Sequence, residues 1–252
     1  MAVVTETYPD FASALAACGP GYDNAVIAEV IAYKTALGTD PRHIAPEQAI
    51  NSILSVGTVA AEITERPLTV LDFGGGCGFH YFRVTAAVRS HLRWAIVETP
   101  TMAERAVKIA EGRFEVFTDI PAAAAALGRV HLVHASSAIQ YVPDPLTSLK
   151  TLAMLQAPYF MLARFPVWSR NQLVGVQTSL LAANGIGPMP PSIPDRQVRY
   201  PITFANFDQV MQIMGSYEIA MVMQSPSSNY TVHGQHVQGI SLIFRSKATP
   251  SM

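Results

Sequence analysis

The stretch VLDFGGGCGFHYF, residues 70–82, restricts the fold of this chain more than any other. A strand-length apolar run ends at Asp72 and Phe73 and meets Gly74, Gly75, Gly76 and Gly78, four glycines in five positions, before an aromatic run containing His80 begins. Glycine tolerates positive φ and lets other groups come close to the main chain. A helix starting beyond such a turn offers unpaired N–H groups. In a parallel α/β sheet, a turn of this kind at the C-terminal end of a strand lies where ligands bind, at the point where the strand order reverses. A tight strand-to-helix turn without a ligand is the plain structural alternative.

The rest of the chain supplies the sheet. LTVLDF (68–73), RWAIVE (93–98), RFEVF (113–117), VHLVHA (130–135) and YFMLA (159–163) are short, nearly continuous apolar runs separated by helical or turn-like spacers, the pattern of parallel strands covered on both faces. Residues 23–37 place Val26, Ile27, Val30, Ile31 and Leu37 at helical spacing, with Asp23 as the expected N-cap. A second helix is expected from near Pro46, so the first sixty or so residues read as a helical prelude. Residues 166–205 are rich in Pro and Gly and read as a long loop of the kind used as lids or binding loops. A helix around 204–214 and two strands, 217–224 and 239–245, close the chain, the strands pairing antiparallel at the sheet edge. The fold class expected is α/β, a doubly wound Rossmann-like sheet of seven strands, mostly parallel with the last antiparallel. At 252 residues the chain suits a single domain. It would comprise an N-terminal helical lid (1–65), a ligand-binding core (66–165), a loop insertion over the substrate side (166–205) and a C-terminal helix with its strand pair (206–252).

Composition excludes several classes. Only 14% of residues are charged and the formal net charge is −1, which argues against a surface built for nucleic-acid phosphates. Cys18 and Cys77 form no CxxC pair and no zinc-spaced cluster, so neither a disulfide framework nor a metal site is expected. Glu6 and Asp10 interrupt the N-terminal stretch, which lacks the form of a signal peptide. The apolar region 120–139 is broken by Pro121, Arg129, His131 and His134, whereas a spanning helix needs about 20 mostly apolar residues. A soluble, cytoplasmic protein is expected, with a homodimer allowed.

Glu98 ends the second of these strands, 98 − 72 = 26 positions after Asp72, where a carboxylate can grip the two hydroxyls of an adenosine ribose. That spacing serves NAD and S-adenosylmethionine alike. Dinucleotide sites continue G-x-G-x-x-G/A, but Phe79 stands where the third small residue belongs. An acidic Asp72 would also repel a pyrophosphate, so both features favour S-adenosylmethionine.

With LDFGGGCGFHYF (71–82), Glu98-Thr99-Pro100, SSAIQYVPDP (136–145) and GYDN (21–24), the chain resembles the class I S-adenosylmethionine-dependent methyltransferases, and within them an uncharacterised bacterial family with the LDFGG-x-G-x-HYF pattern. The resemblance covers roughly residues 21–165. It implies that main chain at Gly74, Gly75, Gly76 and Gly78 faces the methionine portion of the cofactor, with Asp72 near its ammonium directly or through water and Glu98 on the ribose beside Thr99. It further implies that Asp119 meets the adenine amino group, that Ser136 and Ser137 line the cofactor and that Tyr22 contacts it from the N-terminal helices, with Lys34 as a further candidate there.

Methyl transfer is an in-line displacement in which alignment supplies much of the rate, and a hydroxyl acceptor also needs a base. Candidates are His80, Tyr141, His233 and His236, of which His80 and Tyr141 lie nearest the expected site; Arg164 could meet an anionic acceptor. No N/D-P-P-Y element follows the fourth strand, which speaks against methylation of DNA amino groups or glutamine side chains. The activity expected is O-methylation of a small-molecule or sugar-type acceptor. The alternatives are a catalytically inactive cofactor-binding or assembly protein of the same fold, and an NAD-dependent oxidoreductase.

Overall fold

In the computed structural model of the chain, residues 2–38, 47–225 and 228–248 are described; the expected helix start at Pro46 lies outside them. The elements run β1 (Ala2–Tyr8), α1 (Phe11–Cys18), α2 (Ala25–Leu37), α3 (Glu47–Glu62), β2 (Leu68–Phe73), α4 (Phe79–Ala87), β3 (Leu92–Val97), α5 (Pro100–Ala110), β4 (Glu115–Phe117) and α6 (Ile120–Leu127). They continue with β5 (Leu132–Ser136), α7 (Pro145–Ala153), β6 (Tyr159–Pro166), β7 (Leu173–Leu180), β8 (Gln197–Phe204), α8 (Phe207–Ile213), β9 (Tyr217–Gln224), β10 (Tyr230–Val232), β11 (Gln235–Val237) and β12 (Gly239–Ser246).

Seven strands form one sheet in the order β4-β3-β2-β5-β6-β12-β9. β2 pairs parallel with β3 and β3 with β4, while β12, the last strand in sequence, runs antiparallel to both β6 and β9. This is the mostly parallel, doubly wound sheet expected from the apolar runs. Strand order reverses at β2, whose C-terminal end carries the glycine turn. The continuous apolar character of LTVLDF has its cause here: Leu68, Val70, Leu71 and Asp72 are all fully buried, as a strand covered on both faces requires.

The described parts of Asp23–His134 and Leu180–Arg196 pack as one unit. Within it, α2 is capped by Asn24, whose side chain accepts from Val26 N at 2.9 Å. Asp23, the expected cap, accepts instead from Thr101 N at 3.0 Å in the first turn of α5. Helix α5 starts with Pro100 in its first turn, where a fixed φ suits the helix. Its Met102 and Ala106 pack with Ala28 and Cys77. Lys34 is 1% exposed. Its Nζ donates to the carbonyl oxygens of Ala182 (2.6 Å), Asn184 (2.9 Å) and Gly185 (3.4 Å), so its three donors fasten a loop to α2 rather than reaching toward a ligand, and burial lowers its pKa.

The described parts of Met1–Tyr22, Ala135–Ser179 and Gln197–Met252 form the other unit. It contains a second sheet of five strands, β11-β10-β1-β7-β8. This differs from the sequence reading at two places. Residues 2–8 are a strand and not part of a helical prelude, because AVVTETY is a β-branched, alternating run that pairs with β7 antiparallel and β10 parallel. Residues 166–205 are not one loop: β7 and β8 lie within them, and Val174, Val176, Ile202 and Phe204 are buried. His233, with φ +46, and Gly234 make the turn between β10 and β11, and His233 and His236 are both exposed. No described helix is long and apolar enough to cross a membrane.

Replacing Lys34 by Met strands three carbonyl groups that the ammonium now satisfies. An unmet buried acceptor or a lost charge-assisted bond costs about 1–3 kcal/mol, so Lys34→Met is expected to lower the urea midpoint by an amount equivalent to roughly 2 kcal/mol or more. It should also speed proteolytic cleavage around 182–187. Unchanged stability together with unchanged cleavage would show that the clamp contributes nothing.

Candidate functional site

The turn after β2 is built on a buried carboxylate. Asp72, fully buried, accepts from Trp94 Nε1 at 3.1 Å through Oδ2 and meets His134 Nδ1 at 2.7 Å through Oδ1. The glycine loop folds directly over it. A Cβ at Gly75 would collide with Oδ2 of Asp72, and one at Gly78, where φ is +91, would come within 2.5 Å of the Phe114 ring. Part of the bareness of this loop therefore serves packing. Asp72 was expected beside a ligand ammonium; its oxygens are instead engaged inside the protein, and its charge is not presented to the loop's outer side.

The loop's outward connection is Glu98, just past β3. Its Oε1 accepts from Gly76 N at 2.8 Å and its Oε2 from Thr99 N at 2.9 Å. Gly74 N donates to Val97 O at 2.9 Å, so β2 and β3 deliver the glycine loop and this carboxylate to one place. Glu98 is half-buried, and burial pushes its pKa up to about 7, with the Asp72 and Asp23 carboxylates adding to the rise while the two N–H groups oppose it. Each carboxylate oxygen has two lone pairs, and each has spent one on main chain, so one remains on each oxygen for a pair of neighbouring hydroxyls. Beside it, the Thr99 hydroxyl helps keep Asp23 charged but is buried without a well-formed hydrogen bond. Cys77, within the loop, is a free thiol that burial pushes up to about 12, which makes it inert. Asp119 is exposed and caps α6, accepting from Ala122 N at 2.8 Å.

His80, in the first turn of α4, is 7% exposed. Its Nδ1 meets Ser52 Oγ at 2.8 Å, and the same hydroxyl meets His134 Nε2 at 2.9 Å. His80, Ser52, His134 and Asp72 are thus joined in one buried chain. Sequence reading singled out His80 and Asp72 but not Ser52, Trp94 or His134. His134 sits in an apolar strand run, where a histidine reads as an interruption, and Ser52 lies in an ordinary helical stretch.

The remaining candidates belong to the other unit. The ring of Tyr22 packs in tilted contact with that of Tyr141 at a centroid distance of 4.9 Å and with that of Tyr200 at 4.3 Å. Tyr141 donates to Gln177 Oε1 at 3.0 Å and Gln177 in turn to Tyr200 Oη at 3.0 Å. Burial, reinforced by the neighbouring tyrosines, raises the Tyr141 phenol well above its ordinary range, so it is no base near neutral pH. Burial also raises Tyr22. Arg164, in β6 with φ +54, directs Nε to Ser136 Oγ at 3.3 Å and a terminal nitrogen to Ser136 O at 3.4 Å. Gln140 donates to Tyr230 Oη at 3.1 Å, while its own Oε1 is buried without a partner. Sequence reading assigned no role to Gln140, Gln177, Tyr200 or Tyr230, although Gln140 lies within the SSAIQYVPDP motif.

No protein-family model matches the chain, and no curated protein matches it in sequence. Solved structures do. An S-adenosylmethionine-dependent methyltransferase from Clostridium acetobutylicum superposes with a TM-score of 0.53 at 9% identity, over 86% of this chain and 96% of that one. CalS10, an amino pentose methyltransferase from Micromonospora echinaspora, gives 0.48 at 13% identity, over 85% and 96%. The N-terminal domain of EvdMO1, crystallised with SAH and D-fucose, gives 0.49 at 14%, over 81% and 85%. The first of these establishes the fold as the Rossmann-like one that such methyltransferases use.

The raised Glu98 has a measurable signature. A carboxyl group whose pKa is 4.5 when unfolded and about 7 when folded binds more protons in the folded state between those values, so stability falls as pH rises across that window and levels off above it. Urea denaturation should show this decline in the wild type and its loss in Glu98→Gln; identical pH profiles for the two proteins would contradict the assignment.

Proposed function

We propose that the chain is an S-adenosylmethionine-dependent methyltransferase acting on a hydroxyl of a small-molecule acceptor, sugar-type acceptors included. The observation that carries this reading is Glu98, half-buried just past β3, pinned through one lone pair of each oxygen to Gly76 N and Thr99 N. A carboxylate held in this way beside a glycine turn suits the vicinal hydroxyls of an adenosine ribose. The likeness of fold to the Clostridium acetobutylicum methyltransferase supports the same class.

On this reading, main chain at Gly74, Gly75, Gly76 and Gly78 carries the amino-acid end of the cofactor, and the Thr99 hydroxyl completes the ribose edge. Asp119 retains a second carboxylate oxygen for the adenine amino group. Bound there, the cofactor supplies an electrophilic methyl group on a sulfonium centre. The chain's part is to align the acceptor and take its proton. His80 is the candidate base, since burial removes Tyr141 from that role. Tyr22, Ser136 and Arg164 remain candidates from the sequence, the first two toward the cofactor and Arg164 toward an anionic group of the acceptor. With Asp72 turned inward, the choice against a dinucleotide rests on Phe79, which occupies the position where a third small residue would admit a pyrophosphate.

A thermal-shift comparison tests the reading. S-adenosylmethionine at 100 times its dissociation constant should stabilise the protein by about 2.7 kcal/mol, whereas NAD at the same concentration should leave it unchanged. The reverse order would point to the oxidoreductase. Formation of S-adenosylhomocysteine in the presence of hydroxyl acceptors separates an enzyme from a binding protein. Glu98→Gln should weaken cofactor binding about tenfold or more, as expected for loss of a charge-assisted hydrogen bond. Wild-type affinity should fall as pH drops through about 7, because a protonated carboxyl group loses one acceptor; pH-independent affinity would contradict the ribose contact.

A further inference from the structure

The turn that follows β5 is braced by a single amide. Ser137, with φ +55, and Arg164 of β6, with φ +54, are non-glycine residues in the left-handed region, a costly conformation that persists only where its surroundings enforce it. Ser137 N donates to Ala163 O at 2.9 Å, so the two lie side by side near the C-terminal ends of the neighbouring strands β5 and β6. That is the edge at which an open α/β sheet takes ligands. Gln140 Nε2 spans the pair, donating to Ser137 Oγ at 3.2 Å and Arg164 O at 3.3 Å as well as to Tyr230 Oη at 3.1 Å. Arg164 O can only accept, so the amide cannot be turned over, and Oε1 is left as the open acceptor. Gln140 is 1% exposed, and its Oε1 has no hydrogen-bond partner. A buried acceptor left unmet is costly. Kept beside two strained residues at a ligand edge, it marks a place for a group that donates.

We infer that Gln140 is a specificity-determining residue whose Oε1 receives a hydroxyl of an uncharged, polyhydroxylated ligand of the neutral-sugar class, with Tyr22, Tyr141, Tyr200 and Tyr230 around it. In naming that ligand as the methyl acceptor the inference rests on the methyltransferase reading; the binding itself does not. The chemistry of the surroundings selects the class. Tyr141 donates to Gln177 and Gln177 to Tyr200, which also shares a hydrogen bond of 2.9 Å with Ser179 Oγ. Amides, phenols and a serine hydroxyl thus give and receive hydrogen bonds in turn, as the hydroxyls of a sugar do. Burial raises the phenols of Tyr22, Tyr141 and Tyr200, so they stay uncharged and offer an ionic ligand no counter-charge. Arg164, whose charge acts on Tyr22, directs Nε and a terminal nitrogen at Ser136 and on this inference holds the wall rather than the ligand. The tyrosine rings add flat apolar faces suited to the C–H side of a sugar ring. Gln140, Gln177, Tyr200 and Tyr230 are buried, whereas Tyr22, Ser137, Tyr141 and Arg164 are only half-buried. A hydroxyl therefore reaches Oε1 by displacing one of these half-buried side chains.

Saturation-transfer difference NMR on the full chain, with and without S-adenosylhomocysteine, tests this with the methyl glycosides of D-glucose, D-galactose and D-fucose against glucuronate and galacturonate. At least one neutral glycoside should bind, and the uronates about tenfold more weakly or less. Gln140→Met, which keeps the length of the side chain, should weaken that glycoside about tenfold or more, as loss of a buried hydrogen bond implies. Three results overturn the inference: no neutral glycoside binds, as when Oε1 meets only an internal water; the uronates bind as well or better, which would return Arg164 to the ligand; or a glycoside binds Gln140→Met as tightly as the wild type. Because Gln140→Met also removes the brace, a second readout uses the wild type alone. The side-chain amide protons of Gln140, assigned through their contact with Tyr230, should shift when the glycoside binds; a bound glycoside that leaves them unmoved overturns the inference even where the variant does not fold. The S-adenosylhomocysteine signals in the same spectra report cofactor binding separately, so failure of the functional reading is told apart from failure of this one.

Discussion

The carboxylate of Asp72 under the glycine loop is the constraint on which the local architecture depends. It lies near the end of β2 with no exposure, and a buried charge is tolerable only when its hydrogen bonds are met. Trp94 and His134 meet them. The main chain of the loop then closes over the carboxylate, and Gly75 is required because any side chain would strike it. With the loop held down from below, Gly76 N is free to turn outward and is caught by Glu98. One acidic residue shapes the loop from inside while a second receives it from outside.

That division of labour separates two carboxylates that look alike in sequence. Asp72 is fully enclosed and belongs to a hydrogen-bond chain running to His80, whereas Glu98 is half-buried and has lone pairs to spare. Burial and the neighbouring acids push Glu98 up to about 7, so its charge is marginal near neutrality and small changes in surroundings alter it. A group of this kind favours partners that donate hydrogen bonds to it, which is the physical content of the proposed ribose contact.

Much of the seven-stranded sheet was legible because parallel strands buried on both faces leave continuous apolar runs; LTVLDF matches β2 residue for residue. The glycine turn and the position of Glu98 followed from the same logic. The five-stranded sheet was not legible. β1 pairs with strands that lie about 170 and 230 residues further along, a relation that no local pattern encodes, and the prolines between β7 and β8 masked two ordinary strands. The role of Asp72 was misread for a related reason: nothing in the spacing of residues tells whether a strand-end acid points up into a ligand or down onto a histidine sixty-two positions away. Ser52 and His134 acquire meaning only once helix α3 and strand β5 bring them together.

The measurement that bears most directly on the account is a crystal structure of the chain with S-adenosylhomocysteine. The account requires the two ribose hydroxyls on the oxygens of Glu98, the amino-acid end over main chain at 74–78, and Asp72 still bonded to Trp94 and His134. A ligand bound elsewhere, or a Glu98 carboxylate that keeps its main-chain bonds but touches no ribose hydroxyl, would contradict it.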